Sequence, residues 1–414
     1  MGTRIAQPPI VTLGGGRDLY GGRRIRLADG QSLTLLNLRA TGGNGRLFYN
    51  ATLDRVPEGA NLRRVLAPLT AKVVNLATYP LERLQDEYTK NLFLRTRGRQ
   101  FDADSDSENI ICDSIASCAV GFVVVTAATG GLGIDAGIIV YDNVQGKDLF
   151  DFVDGFRSRV QLNPDLRDTN SLLYVEFVAS AAMQLCAAVH LFNTFGLFHR
   201  DLKPENVVVE YRPPAAQQQL VPSKFRLLLI DFATLCYDTP PVPLVPTADD
   251  PRPAVPDGVY CMPDELGFFR YGSTEGFVDP DAYAIYQPFF VAGQFVVTRA
   301  TLAQRFAHYE TYAVGATIHD LLEPANFVTP QDREVLRTLT RIVAEMLGPI
   351  ERRRSLGAYS LLFEHVLRQA KHGHDQVIAQ QQQQQSSGDD DGEGEASGEG
   401  EAGVNSNRME TAEA

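Results

Sequence analysis

A short polar segment near the middle of the chain most limits what this sequence can fold into. Residues 199–206 read HRDLKPEN and combine a histidine, two cations, two acids and an amide. They follow a long apolar segment, 172–196, that is typical of a buried helix, and they precede the β-branched run of 207–211. Such a polar cluster is unusual for a plain turn, so the sequence indicates that this loop carries a function.

The chain uses arginine as its default cation. Only six of its 38 basic residues are lysines. A lysine retained in such a chain indicates a need for a compact ammonium group rather than a planar guanidinium. Two of the six, Lys72 and Lys203, lie in segments with further signs of function.

Length and composition predict a large folded body with an acidic tail. The chain has 414 residues, 44% of them hydrophobic, which is enough for two lobes or two domains. The net charge is −13, but residues 389–414 contain nine acids and one arginine. The acidity therefore describes the tail rather than the folded part. We expect the tail to bind basic proteins or to aid solubility, and we expect no direct contact with nucleic acid.

The terminal and cysteine patterns favour an intracellular protein. The first ten residues, MGTRIAQPPI, lack the apolar core of a signal peptide, and we expect no membrane-spanning segment and no membrane partner. The five cysteines are odd in number and show no CxxC spacing, so zinc binding and a disulfide framework are both weak interpretations. A reducing compartment fits better, and we expect the nucleus and/or the cytoplasm.

Hydrophobic periodicity separates a strand-rich front from a helix-rich back. Strands are predicted over 32–40, 46–53, 65–76, 121–128, 136–144 and 225–233, and helices over 81–95, 172–196, 310–322 and 332–348. The sequence therefore predicts an α+β fold with a small β-rich lobe and a larger helical lobe. The expected parts are an N-terminal extension (1–30), a folded domain (31–372) with lobes at about 31–142 and 147–372, and a disordered poly-Gln and acidic tail (373–414).

The polar segment matches the needs of phosphoryl transfer. That reaction requires phosphates and metal held in line, an acid that orients the attacking hydroxyl, and positive charge on the transferred group. Asp201 can accept a hydroxyl proton, Lys203 can reach the γ-phosphate, and the Asn206 amide oxygen suits a hard cation such as Mg²⁺. One short loop thus supplies a base, a phosphate contact and a metal ligand.

HRDLKPEN resembles, at every position, the catalytic loop of eukaryotic-type protein kinases, and its lysine is similar to that of the serine/threonine branch. Further along the chain, Asp231-Phe232-Ala233 resembles the kinase DFG, whose Asp binds Mg²⁺. The resemblance makes Asn206 and Asp231 the metal ligands. Ala233 in place of glycine restricts the backbone torsions, so we expect a flip of this segment to be harder.

A lysine upstream resembles a second kinase motif. Lys72 in LTAKVV (69–74) is similar to the VAxK strand, whose lysine binds the α- and β-phosphates. A solvated strand lysine is an equal alternative from this local pattern, and the scarcity of lysine favours function. The acidic partner of Lys72 is expected on the following helix, where Glu87 is preferred and Glu82 is the rival.

A glycine-rich turn lies where a phosphate-covering loop is expected. Gly42, Gly43 and Gly45 lie between two predicted strands, and backbone N–H groups there could meet phosphates. The third glycine of the kinase GxGxxG is missing, with Phe48 at that position. A structural hairpin turn therefore stays open as an alternative.

Residues 138–150 resemble the kinase hinge and the start of the helix after it. The match makes Tyr141 the gatekeeper, which would narrow the back of the nucleotide pocket. It assigns adenine to the backbone of Asp142 and Val144, and it places Asp148 at the ribose.

Residues 258–265, GVYCMPDE, resemble a degenerate GTxxYxAPE. Val259 stands where a threonine is usual, which removes a hydroxyl expected near the catalytic loop. The acid of this motif is expected to pair with an arginine among 352–354. Asp264 is the preferred acid and Glu265 the rival.

Two more positions follow from the resemblance. Glu310 in ETYAVG resembles the acid of the DxWSxG that opens the central helix of the large lobe, and Asp281 is an alternative at more usual spacing. Arg200 would pair with a phosphate on the activation loop, as in many kinases, or with a permanent acid such as Asp249 or Asp250. We favour constitutive activity.

The resemblance implies an ATP-dependent serine/threonine protein kinase with ATP and Mg²⁺ as cofactors, proteins as substrates and Asp201 as catalytic base. The incomplete glycine loop, Ala233 and Val259 favour instead a pseudokinase that acts as a protein-binding scaffold. The divergence, the arginine-rich usage and the acidic tail are similar to kinases of large DNA viruses such as herpesviruses. In that case the compartment is that of the host cell.

Overall fold

A computed structural model gives the fold of the chain. It describes residues 20–26, 32–41, 46–54, 69–100, 111–127, 132–142, 146–162, 167–211, 225–237, 274, 276–280, 290–291, 294–295, 299–322 and 330–387. The chain divides into two units, Met1–Ala370 and Lys371–Ala414.

Thirteen strands are present among the described residues: β1 (Arg24–Arg26), β2 (Ser32–Thr41), β3 (Leu47–Leu53), β4 (Leu69–Asn75), β5 (Ala119–Val125), β6 (Ala136–Tyr141), β7 (Lys147–Asp148), β8 (Leu197–Phe198), β9 (Val207–Tyr211), β10 (Phe225–Leu229), β11 (Cys236–Tyr237), β12 (Phe290–Val291) and β13 (Gln294–Phe295). The α-helices are α1 (Leu81–Gln100), α2 (Leu149–Leu162), α3 (Arg167–Thr194), α4 (Arg299–Leu322), α5 (Pro330–Leu347) and α6 (Leu356–Ser387).

The first lobe is an antiparallel sheet of six strands in the order β1-β2-β3-β4-β6-β5. Alternating side chains such as Leu33, Leu35 and Tyr49 bury one face of this sheet. Helix α1 packs against the other face at Gly137 on β6, where a Cβ would lie 2.2 Å from Leu84 Cδ2. Glycine at this position therefore lets α1 approach the sheet closely.

The second lobe is built around α3. Its residues Phe177, Leu185 and Phe192 are fully buried, and α4, α5 and α6 contribute to the same core. The short strands β8 and β9 flank the HRDLKPEN segment, with β8 paired to β11 and β9 paired to β10 and β7. This confirms the α+β, two-lobed fold that the sequence predicts.

Helix α3 corresponds to the buried helix that the sequence predicts over 172–196. Residues Ser171–Thr194 are long and apolar enough to cross a membrane by length and composition alone. However, 72% of the most apolar window of this segment is buried inside the folded chain. A helix at the centre of a globular core is apolar all round for the same reason as a membrane span, because both lack contact with water.

Two segments assigned outside the predicted domain form regular secondary structure, although the chain divides at Ala370 and Lys371, close to the predicted domain end at 372. Arg24–Arg26, assigned to the extension, forms β1 and pairs with β2, because Ile25 enters the core of the sheet. Helix α6 continues to Ser387, through a poly-Gln run expected to be disordered. Glutamine is a good helix former, and a helix that has begun extends at little cost.

A disulfide that the sequence analysis considered weakly supported is present. Cys112 and Cys118 are joined, with their Cα atoms 5.5 Å apart, in the segment that leads into β5. The cysteine count gave no sign of this pairing. The helical turn at Ile111–Ile115 brings the two cysteines close, and no motif spacing records that turn. Disulfides persist mainly in oxidising compartments, so this bond does not support the reducing compartment that the sequence favours. That compartment stays a prediction.

Candidate active site

A buried ion pair joins β4 to α1. Lys72 is only 2% exposed, and its Nζ lies 2.6 and 2.8 Å from the two carboxylate oxygens of Glu87. Burial alone would lower the pKa of Lys72, but the charges of Glu87 and Asp231 outweigh it, so the pKa lies above its usual value. Glu87 rather than Glu82 is therefore the partner of Lys72, and the lysine is not a solvated strand residue.

Tyr141, at the end of β6, adds a third member to this pair. Its hydroxyl donates to Glu87 Oε1 across 2.7 Å. Burial and then the charge of Glu87 raise the pKa of Tyr141 well above its usual value, so the phenol stays protonated and acts as a donor.

The polar residues of the HRDLKPEN segment converge on the Asp201 carboxylate. Asn206 Nδ2 donates to Asp201 Oδ2 across 3.0 Å, and Lys203 Nζ lies 3.3 Å from the same oxygen. Asn206 also donates to the Asp201 carbonyl across 2.7 Å, which fixes the loop on the short helical turn Pro204–Asn206. The three residues that the sequence singled out on this loop are thus in contact.

Thr274 completes this group, and the sequence analysis missed it. The Thr274 hydroxyl accepts from Lys203 Nζ at 2.7 Å and donates to Asp201 Oδ1 at 3.0 Å. Its backbone N–H donates to the same oxygen at 3.1 Å. The hydroxyl thought to be lost at Val259 is therefore supplied by another residue. Val259 itself lies outside the described residues.

The arginine of the predicted ion pair contacts an acid that the sequence did not indicate. Arg353, one of the three candidates at 352–354, pairs with Asp279 at 2.5 Å, and both side chains are buried. Asp264 and Glu265 lie outside the described residues. Residues 274–281 read TEGFVDPD, in which Thr274, Phe277, Pro280 and Asp281 match the spacing of TxxYxAPE, while the acid that pairs with Arg353 lies two residues before Asp281. That spacing is the signal that could have located Thr274.

Asp231 follows β10 with a left-handed backbone, φ 59°. Its Oδ1 is buried, accepts no hydrogen bond, and lies 3.9 Å from Lys72 Nζ. Burial would raise the pKa of Asp231, but the charges of Lys72 and then Arg46 bring it below its usual value. The carboxylate is thus ionised and faces the same space as the Lys72 ammonium.

These residues fit a divalent cation. Asp231 offers a buried carboxylate oxygen that accepts no hydrogen bond. The side-chain nitrogen of Asn206 donates to Asp201, so the side-chain oxygen of Asn206 is the atom that can bind a cation. The backbone N–H of Ile230 donates to the Asn206 carbonyl across 3.0 Å, which brings the two ligands close. Among the described residues no group of three or more His, Cys, Asp or Glu could hold a metal ion, so Mg²⁺ would also need phosphate oxygens.

Helix α1 also holds the segment after Asp231. Lys90 is 1% exposed, and its Nζ lies 2.8 Å from Asp86 and 3.0 Å from the carbonyl of Ala233. Lysine scarcity could have drawn attention to Lys90, but its distant partner could not be read from the sequence. Ala233 forms part of a short helical turn, and the positive φ belongs to Asp231, so alanine fits this conformation.

The histidine and arginine of the loop face the core of the large lobe. His199 Nε2 donates to the Ile230 carbonyl across 2.9 Å, and burial lowers the pKa of the imidazole, which keeps it neutral. The Arg200 N–H donates to Glu310 Oε1 across 3.0 Å, where Arg200 itself has a φ of 69°. Glu310 thus supports the loop, although α4 begins at Arg299 instead of opening at Glu310.

The predicted nucleotide contacts are only partly described. Gly42, Gly43, Gly45 and Val144 lie outside the described residues. The Asp142 carbonyl accepts from Ser117 Oγ at 3.2 Å. Asp148 caps helix α2, accepting from the backbone N–H of Asp151 across 2.8 Å.

Comparisons with known proteins identify the fold. No family model and no curated protein sequence matches the chain. Among solved structures, a Toxoplasma gondii specific rhoptry antigen kinase domain has a TM-score of 0.50 and 13% identity, covering 84% of this chain and 86% of its own. The ROP18 kinase domain in complex with AMP-PNP and sucrose has a TM-score of 0.48 and 13% identity, covering 86% of each chain. ROP2 from Toxoplasma gondii, described as a protein-kinase fold without enzymatic activity, has a TM-score of 0.46 and 13% identity, covering 85% of this chain and 86% of its own. The first of these matches, together with the six-stranded sheet and the helical lobe, gives the chain a two-lobed protein kinase-like fold.

Proposed function

We propose that the chain is an ATP-dependent serine/threonine protein kinase that transfers the γ-phosphate of ATP to protein hydroxyls. The arrangement of Asp201 carries this proposal. Its carboxylate is held by Lys203, Asn206 and Thr274 on one side of the site, while the Lys72–Glu87 pair and Asp231 lie on the other. A structural loop would not need this many charged groups at short range.

Each side chain has a role in this proposal. Asp201 accepts the proton of the attacking hydroxyl, and Lys203 places an ammonium beside the transferred phosphoryl group. Lys72, oriented by Glu87, binds the α- and β-phosphates. Asp231 and Asn206 would hold Mg²⁺, which neutralises phosphate charge when bound.

Thr274 supports the serine/threonine type. Its hydroxyl links the acid and the ammonium of the catalytic loop, which is where the kinase resemblance expects a threonine. Lys203 itself is similar to the lysine of that branch. The substrates, the compartment and a viral source stay predictions from the sequence.

One observation favours a second candidate, a pseudokinase that serves as a protein-binding scaffold. Arg46 Nη1 lies 3.3 Å from Asp231 Oδ2, so a side-chain cation contacts the expected metal ligand. If Arg46 always holds Asp231, the carboxylate cannot bind Mg²⁺. Such a chain would keep the kinase-like fold without phosphoryl transfer.

The test is transfer of labelled γ-phosphate to a generic basic protein and to the chain itself, with Mg²⁺. We expect transfer by the wild type and by Lys371→Met, a matched lysine variant far along α6, and none by Asp201→Asn or Lys72→Met. A melting curve of each variant shows whether it is folded. Absence of transfer by folded wild type would favour the scaffold.

A further inference from the structure

Arg46 is a cation of the site that neither the motifs nor their spacing identify. It directly precedes β3, after the glycine-rich turn, and lies opposite Asp231, 185 residues further along the chain. Its side chain is 20% exposed, so the guanidinium is largely enclosed by the two lobes.

Two contacts fix the position of this guanidinium. Arg46 Nη1 donates to Asp231 Oδ2 across 3.3 Å, and the group lies over the ring of Tyr79 with its carbon 5.5 Å from the ring centre. The Nε–H is buried and has no hydrogen-bond partner among the described residues. A buried donor without a partner is costly, so a ligand that accepts from Arg46 would relieve that cost.

The charges around Asp231 indicate what this ligand is. Lys72 and Arg46 approach the two oxygens of one carboxylate, at 3.9 and 3.3 Å. Lys72 is paired with Glu87, so Arg46 is the cation that balances the charge of Asp231. A guanidinium has five N–H donors in a planar fork, and the bond to Asp231 uses only one of them. The others can bind phosphate oxygens, frequently in pairs.

We propose that Arg46 takes the place of a divalent cation for binding, bridging Asp231 to the polyphosphate of a nucleoside triphosphate, so that nucleotide binds without metal. The proposal rests on the assignment of this site to ATP under the proposed function. It concerns binding alone and leaves the requirement of phosphoryl transfer for Mg²⁺ unchanged. The ligand class is a metal-free nucleoside triphosphate or its non-hydrolysable analogue.

The test is calorimetric titration of the full chain with a non-hydrolysable ATP analogue, in excess EDTA and in Mg²⁺. For wild type we expect the affinities in the two conditions to agree within about tenfold. In EDTA the contact of Arg46 with phosphate replaces the contact of Mg²⁺ with phosphate. Arg46→Ala should lose about tenfold to a hundredfold in EDTA and much less in Mg²⁺. Arg46→Lys, which keeps the charge but not the fork, should fall between.

Arg24→Ala is the matched control, because Arg24 is an exposed arginine of the same sheet that pairs with Asp54. Melting temperatures establish that each variant is folded. Wild-type binding that requires Mg²⁺, or equal affinities of wild type and Arg46→Ala in EDTA, would overturn the proposal. Tighter binding by Arg46→Ala would overturn it too, since Arg46 would then block the site. Absence of binding in both conditions would instead overturn the assignment to ATP, and this inference with it.

Discussion

The hydroxyl of Tyr141 donates to the same oxygen of Glu87 that lies 2.6 Å from Lys72 Nζ. The strand β6 is thereby tied to helix α1 at the residue that orients the lysine. Tyr141 thus fixes the Lys72–Glu87 ion pair from the side of the sheet.

Tyr141→Phe removes this hydrogen bond and keeps the ring. We expect a nucleotide affinity about tenfold lower, since Glu87 loses a charge-assisted bond that positions Lys72. Titration with an ATP analogue checks this, and Tyr20→Phe, at a ring remote from the site, is the control. Equal affinities for Tyr141→Phe and wild type would show that the hydroxyl does not position the pair.

Removal of one partner of the Lys72–Glu87 pair should destabilise the fold. Lys72→Met leaves the Glu87 carboxylate buried and unpaired, so we expect a loss of about 3–5 kcal/mol in the free energy of unfolding. The double variant Lys72→Met, Glu87→Gln should recover part of that loss because no buried charge remains. Urea denaturation measures both, and a double variant no more stable than the single one would contradict this account.

Thr274→Val should slow catalysis without weakening nucleotide binding. The variant keeps the shape but removes the hydroxyl that contacts Asp201 and Lys203, and we expect kcat to fall about tenfold or more. Thr274→Ser should stay near wild type. Steady-state kinetics separate kcat from the KM for ATP. A KM effect at constant kcat would place Thr274 outside the reacting groups.

Glu310 should make stability fall as pH rises. Burial raises its pKa from 4.5 to about 8, so the folded state binds more protons than the unfolded state between these values. This contribution is complete below about pH 4.5 and is lost as pH rises through about 8. Glu310→Gln cannot titrate and should flatten the dependence. Urea denaturation at several pH values checks this, and parallel curves for the two proteins would refute it.

Phosphatase treatment should leave activity unchanged. The Arg200 guanidinium is buried, lies over the Phe306 ring with its carbon 5.1 Å from the ring centre, and donates to Cys236 Sγ across 3.2 Å. An activating phosphate would have to reach a side chain that the core encloses. Loss of phosphate transfer after dephosphorylation would show that the large lobe opens around Arg200.

The strongest sequence signals were those that are local. HRDLKPEN places Asp201, Lys203 and Asn206 within a few residues, so a single short turn brings them together whatever the rest of the chain does. Lysine scarcity and strand context indicated Lys72, and the resemblance to protein kinases placed its acidic partner on the following helix, with Glu87 preferred.

The remaining site depended on contacts between residues distant in sequence. Thr274 is 73 residues from Asp201, Arg353 is 74 from Asp279, and Arg46 is 185 from Asp231. The motif at 258–265 was chosen from local similarity, and the similar spacing further along, at 274–281, was not considered.

The sequence by itself determined which polar residues meet on the HRDLKPEN segment and the division into a strand-rich and a helix-rich lobe. Both depend on periodicity and on short-range spacing, which the chain carries in every conformation. Only the tertiary structure decided which threonine faces Asp201 and which cation faces Asp231. Those choices follow from how the two lobes pack, because burial and charge act between surfaces that meet only in the folded state.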